Sequence, residues 1–107
     1  MRGEALKGHL DLLLLSVLQP GGLHGYAVIR ALEETSGGAF ELPEGTVYPA
    51  LRRLEQGKLV RSRWETVEGR RRRTYALTAA GTKALGRERE GWALFRAAMA
   101  LVVEAPA

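Results

Sequence analysis

The 107-residue chain contains no cysteine, which removes disulfides, thiolate metal sites and cysteine nucleophiles from consideration. It also lacks a long hydrophobic run. The leucines from Leu12 to Leu15 lie close to Asp11 and Gln19, in a stretch far shorter than the roughly 20 apolar residues of a membrane span. No signal-peptide pattern is present, so the expectation is a soluble, cytoplasmic protein with no membrane partner. The two histidines, His9 and His24, have no neighbouring ligands at metal spacing, and no metal is assigned. A nucleophile elbow, a Walker pattern and a dinucleotide-binding glycine pattern are all missing, so neither a cofactor nor enzymatic activity is expected.

Acidic residues are few where basic ones are concentrated. The formal net charge is +4 and the pI is near 10.0, in a chain with room for one domain. Residues 44 to 73 hold nine Lys/Arg against four Glu, an excess of five, which leaves the rest of the chain with one net negative charge. An excess confined to one contiguous third is the asymmetry of a polyanion-binding face. Its densest point is Gly69-Arg70-Arg71-Arg72-Arg73. Four guanidiniums in one turn repel each other, and a phosphate backbone relieves that repulsion through bidentate hydrogen bonds. A solvated charged face is the competing reading of the charge pattern alone.

Leu6, Leu10, Leu13, Leu14, Val17 and Leu18 fall on one helical stripe, predicting a first helix over about residues 3–18, stopped by Pro20-Gly21-Gly22. Leu12 and Leu15 lie off that stripe and suggest a second buried face, with a dimer contact preferred. A second helix is predicted over about 24–35, with Tyr26, Val28, Ile29 and Leu32 inward and Gly37-Gly38 as its stop. A third covers about 44–56, with Val47, Leu51 and Leu54 on one face and Gly57 closing it. Both Pro43 and Thr46 could start it, and Pro49 favours the later start because an early-turn proline lacks only an unpartnered N–H.

Trp64 and Thr66 alternate with Arg63 and Glu65, and Tyr75 and Leu77 alternate with Thr74 and Ala76, as in a half-buried hairpin turning at Glu68-Gly69. Thr78 reads as the N-cap of a last helix reaching about Val103, where Ala105-Pro106 ends it. On that helix Leu85, Trp92, Phe95, Met99 and Val102 occupy a and d heptad positions, a stripe that asks for a partner. The class is therefore mainly α with a small β-hairpin. It predicts a winged helix-turn-helix over residues 1–78, and a long C-terminal dimerisation helix, residues 79–107, packed on the same domain.

Glu44-Gly45-Thr46-Val47-Tyr48-Pro49-Ala50-Leu51-Arg52-Arg53-Leu54-Glu55, then Gly57-Lys58-Leu59-Val60 and Gly69 through Gly81, resemble the PadR family of transcriptional regulators. Gly25-Tyr26-Ala27-Val28-Ile29 resembles that family's second-helix motif. The similarity covers nearly the whole chain. One departure is Thr74, where the family usually carries an aromatic residue. The short segment after the wing resembles the family's short subgroup, which implies one dimerising C-terminal helix and, often, a repressor that responds to small molecules. Trp92 stands where many short members carry a tryptophan at the dimer centre, which implies a possible site for a small aromatic effector.

The candidate DNA-binding residues are Thr46, Tyr48, Arg52 and Arg53 of the third helix and Arg70, Arg71, Arg72 and Arg73 of the wing. Thr46 and Tyr48 lie near a helix N-terminus, whose partial positive charge favours phosphate. Tyr48 can equally be a core aromatic. Neighbouring Arg52 and Arg53 cannot both face one groove, and strand alternation splits the four wing arginines into two pairs. Trp92 admits two readings, interface packing and part of a ligand cavity. The main expectation is a homodimeric, sequence-specific regulator of double-stranded DNA, a repressor on a pseudo-palindromic operator. Its rivals are a winged-helix protein-interaction module and a small-molecule sensor that binds DNA weakly.

Overall fold

The computed structural model describes Leu6 and residues 8–107. Seven elements follow in order: α1 (Leu10–Leu18), β1 (Leu23–His24), α2 (Gly25–Thr35), α3 (Glu44–Gln56), β2 (Val60–Val67), β3 (Arg70–Leu77) and α4 (Ala79–Val103). α1 starts later than the stripe predicts. Gly8 has φ +89°, a conformation that no right-handed helix contains, so Leu6 belongs to a separate turn whose carbonyl accepts the His9 N–H at 2.8 Å. Residues 3–5 of the predicted helix lie outside the described residues.

The core is built from Leu14, Leu15 and Leu18 of α1, Val28 and Leu32 of α2, Val47, Ala50, Leu51 and Leu54 of α3, with Leu6, Leu42, Val60, Ala84 and Leu85. Leu15 was placed on a second face by its spacing, yet it is fully buried within the chain. α1 contacts α2, α3, α4 and β3, so it is covered on more sides than one stripe implies. The opposite correction applies to Tyr26, assigned inward and in fact 56% exposed.

α3 takes the earlier of its two starts. The Pro43 carbonyl accepts both the Thr46 N–H at 3.0 Å and the Val47 N–H at 3.1 Å, so Thr46 is already helical and Pro49 sits inside the helix. Val47, Ala50, Leu51 and Leu54 share its buried face. Pro49 removes one donor, and the outlay is small beside four buried side chains.

β2 and β3 form the hairpin, paired from Val60 with Leu77 to Val67 with Arg70. Glu68 and Gly69 both have positive φ, +52° and +76°, the two central positions of a tight primed turn whose twist matches the strands. A third strand, β1, was not anticipated. It adds Leu23 and His24 to the other edge of β3, opposite Tyr75 and Thr74, giving the order β1-β3-β2.

α4 begins as expected. Thr78 accepts the Gly81 N–H at 3.0 Å, donates its hydroxyl to the Lys58 carbonyl at 2.7 Å, and donates its backbone N–H to the Leu59 carbonyl at 3.1 Å. A Cβ at Gly81 would overlap the Leu59 carbonyl oxygen, so this glycine lets α4 start directly against the turn between α3 and β2. Only the first two turns of α4 are buried, at Gly81, Ala84 and Leu85. The rest projects, and the molecule measures 61 × 28 × 21 Å.

Candidate nucleic-acid interface

Strand register sorts the wing arginines. Arg73 lies opposite Trp64 and Arg71 opposite Thr66, so both share the sheet face that carries the buried Val60 and looks toward α3. Arg72 lies opposite Glu65 and Arg70 opposite Val67, on the reverse face. Trp64 is 57% exposed, with the Arg71 guanidinium 4.9 Å and that of Arg73 5.7 Å from its ring centroid. Both distances suit cation–π attraction, which holds long side chains extended along the ribbon.

On α3, Arg52 and Arg53 diverge. Arg53 pairs with Asp11 of α1, while Arg52 lines a cleft of about 400 Å³ between α3 and the wing. His24, Tyr26, Tyr48, Trp64 and Arg72 line the same cleft. Tyr48 is half-buried, with its ring over Gly25, where a Cβ would collide with it. The ring therefore packs as a core aromatic and its edge still borders the cleft. Burial, then the Glu44 carboxylate and Tyr75, push the Tyr48 hydroxyl above its ordinary range, so it stays a neutral donor. Thr46, two residues earlier, is partly exposed at the same end of α3.

The reverse face carries Arg61, Arg63, Arg70 and Arg72 against Glu65. Glu65 accepts a hydrogen bond from the Thr74 hydroxyl at 2.8 Å and pairs with Arg63 at 2.9 Å. The Thr74 hydrogen bond is the largest cause holding its carboxyl below the usual range; burial opposes it, and Arg63 and then Arg72 add to it. His24 is shifted down, first by burial and then by Arg72, so it is a neutral imidazole at pH 7. Among the described residues no ion pair engages Arg52, Arg61 or the tip arginines Arg70, Arg71 and Arg72.

Glu55, Ser62 and Trp64 were absent from the sequence candidates. Counting back from the Glu68-Gly69 turn would have placed Trp64 opposite Arg73, whereas nothing local marks Glu55 or Asp11 as partners of distant arginines.

A second surface lies on the other side of α1. Leu12, Leu13, Phe40 and Trp92, with His9 and Arg89 at its margin, line a groove of about 640 Å³ between α1 and α4. Arg89 is tethered across it to Gln19 at 2.8 Å. Of the residues predicted for dimerisation, Leu12, Trp92, Phe95, Met99 and Val102 are at least partly accessible. Leu15 and Leu85 are each 1% exposed and belong to the core, because the base of α4 packs onto α1 before the helix leaves the domain. Among the described residues no His, Cys, Asp and Glu cluster could hold a metal, and no helix is long and apolar enough to cross a membrane.

A helix carrying Arg52 and Arg53 beside an arginine-tipped hairpin is the arrangement of a winged helix, and known proteins share it. A transcriptional regulator from Clostridium thermocellum superposes with a TM-score of 0.86 at 27% identity, covering 94% of this chain and 99% of its own. A PadR family transcription regulator from Clostridium difficile gives 0.75 at 31% identity, covering 86% and 95%. The transcriptional regulator YqjI of Escherichia coli is 35% identical over 83 residues, 78% of this chain but 39% of that longer protein. The family model described as the transcriptional regulator PadR-like family matches residues 14–87, more than half of the chain. The chain therefore belongs to the PadR-like family of transcriptional regulators.

Proposed function

We propose that this regulator is a homodimeric, sequence-specific DNA-binding repressor in which α3 enters the major groove and the wing follows the flanking backbone. The observation that carries this reading is the cleft between α3 and the wing, where Arg52 and Arg72 stand among Tyr48, Tyr26 and Trp64. Guanidiniums supply phosphate affinity, which weakens as salt rises, and the aromatic edges and hydroxyls supply short-range contacts. Thr46 and Tyr48 at the start of α3 contact phosphate or base edges, Arg52 reaches along the groove, and Arg70 to Arg73 form the wing's positive tip.

Dimerisation completes the site. The apolar stripe of Trp92, Phe95, Met99 and Val102 stays largely exposed, although the His9 ring lies beside Phe95 and the Arg96 guanidinium over Trp92, and a two-fold contact along it would cover the stripe of both copies. Such a dimer meets half-sites about 34 to 36 Å apart, one helical turn of DNA. A planar aromatic effector in the groove beside Trp92 would bind one arrangement of the α4 pair better than another, and release of DNA follows from that difference in affinity. Trp92 then serves both packing and ligand contact, and its fluorescence is quenched by planar aromatics in the intact protein but not in Trp92→Leu.

Selection of bound genomic fragments at fixed salt, with competitor DNA present, tests the central reading. An enriched inverted repeat supports it, and its absence sinks it. The groove also favours a second reading, a small-molecule sensor with weak DNA binding, which the same selection identifies by tight aromatic binding without any enriched sequence.

A further inference from the structure

Glu55, Ser62 and Arg73 come from three different elements and close on one another. Ser62 on β2 donates its hydroxyl to Glu55 Oε2 on α3, Arg73 Nη2 on β3 lies 3.4 Å from the same oxygen, and Arg73 Nε donates to Ser62 Oγ at 2.7 Å. Glu55 is more enclosed than a usual surface acid, its side chain 28% exposed. The Trp64 ring stands over the same guanidinium. Arg73 is therefore held on two sides by its own chain, whereas no ion pair engages Arg70, Arg71 or Arg72 among the described residues.

The wing needs such a hold. Beyond Val60 every residue of β2 is exposed or half-exposed, and so is all of β3, so no core lies beneath the outer ribbon. A two-stranded ribbon without a packed face is only marginally ordered in water. Its angle to α3 is then set by side-chain contacts between the two, and here these run through Glu55. An ion pair this open contributes little stability. Its consequence is geometric, since a helix and a wing can meet one DNA site together only if the angle between them is fixed.

We propose that Glu55, Ser62 and Arg73 are positioning residues that clasp the wing to α3, and that Arg73 is not among the arginines that neutralise phosphate. The second half rests on the DNA-binding reading given above, and the first half does not. Extracting Arg73 for a phosphate would leave the Glu55 carboxylate facing the DNA backbone with the Ser62 hydroxyl but no cation, which opposes binding.

The test compares Glu55→Gln, Ser62→Ala and Arg73→Gln in the full chain. Without DNA, 5-fluorotryptophan labelling gives one fluorine resonance for Trp64 and one for Trp92. Each variant is expected to shift or broaden the Trp64 line and leave Trp92 unchanged. An unmoved Trp64 line in all three overturns the clasp whatever the protein binds. With DNA, affinity for the duplex selected by the unaltered protein and for a scrambled duplex is measured across salt. Each variant is expected to lower the ratio of the two by about tenfold, the size of one mismatched base pair, with the salt slope unchanged. A slope flattened by about 0.9 per protomer in Arg73→Gln, together with tighter binding by Glu55→Gln, makes Arg73 a phosphate contact and overturns the proposal. If the unaltered protein prefers no duplex, the DNA-binding reading falls and the fluorine result still decides the clasp.

Discussion

Around the wing, charged side chains meet opposite charges of the same chain: Arg53 with Asp11, Arg73 with Glu55, Arg63 with Glu65. Along the outer half of α4, apolar side chains meet water. Leu94 is 74% exposed and Leu101 79%, on the face away from Trp92, Phe95 and Met99, so that half of the helix is apolar nearly all round. Polar groups on a surface can be satisfied by water or by short ion pairs, and the wing needs no second chain to be stable. Apolar surface has no such option, and only another apolar surface removes its cost. The wing is finished as a structure and open as a binding site, while the end of α4 is unfinished as a structure.

Replacing Phe95 by Glu is the strongest way to break this comparison. A carboxylate placed in a helix seam without a partner costs about 3–5 kcal/mol, which is more than a hundredfold in association. We expect a monomer by sedimentation, with the domain still folded because Phe95 lies outside the core, and with loss of binding to a two-half-site duplex. A Phe95→Glu protein that stays dimeric places the subunit contact elsewhere.

A smaller effect sharpens the boundary between the two halves of α4. Leu85 is buried against the domain and Met99 is not, although they sit on one stripe of one helix. Leu85→Ala should lower stability by about 2–5 kcal/mol at every protein concentration, the usual result of a core cavity. Met99→Ala should leave the monomer's stability unchanged and act only through association, so its loss in thermal midpoint would vary with protein concentration. Equal, concentration-independent losses would show that the two halves are not distinct.

How far the sequence announced these features follows from how local each one is. The hairpin, its Glu68-Gly69 turn and the Thr78 cap were legible because turn and cap chemistry reside in adjacent residues. β1 was not, since two residues carry no period and Leu23 and His24 are strand only through Tyr75 and Thr74, some fifty positions later. The span of α3, about 44–56, was legible, but the later start favoured by Pro49 is overturned by the bonds from the Thr46 and Val47 N–H groups to the Pro43 carbonyl. Leu15 and Leu85 were assigned to a partner because periodicity shows that a face is apolar without showing what covers it. Of the binding site, the arginine tip was plain, but which arginines are held was not. Arg53 meets Asp11 forty-two positions away, and Arg73 meets Glu55 eighteen away.

The smallest effect concerns pH, and it bears on whether the wing is as self-sufficient as the comparison holds. Glu65 has its carboxyl lowered chiefly by the Thr74 hydroxyl, so the folded hairpin binds a proton less readily than the unfolded chain. A group depressed in this way adds stability above its unfolded value, near 4.5, and that contribution fades as pH falls through the lower folded value. Amide exchange along β2 and β3 should therefore quicken, after correction for intrinsic rates, as pH drops below the usual carboxylate range. In Thr74→Val the hydrogen bond is lost and the acid-induced loosening should shrink, whereas exchange in α2 should be the same in both proteins. Equal acid sensitivity with and without the Thr74 hydroxyl would mean that the wing's order is set elsewhere. Glu55 would then be the first acid to examine, because among the described residues it carries the side-chain hydrogen bonds between the ribbon and α3.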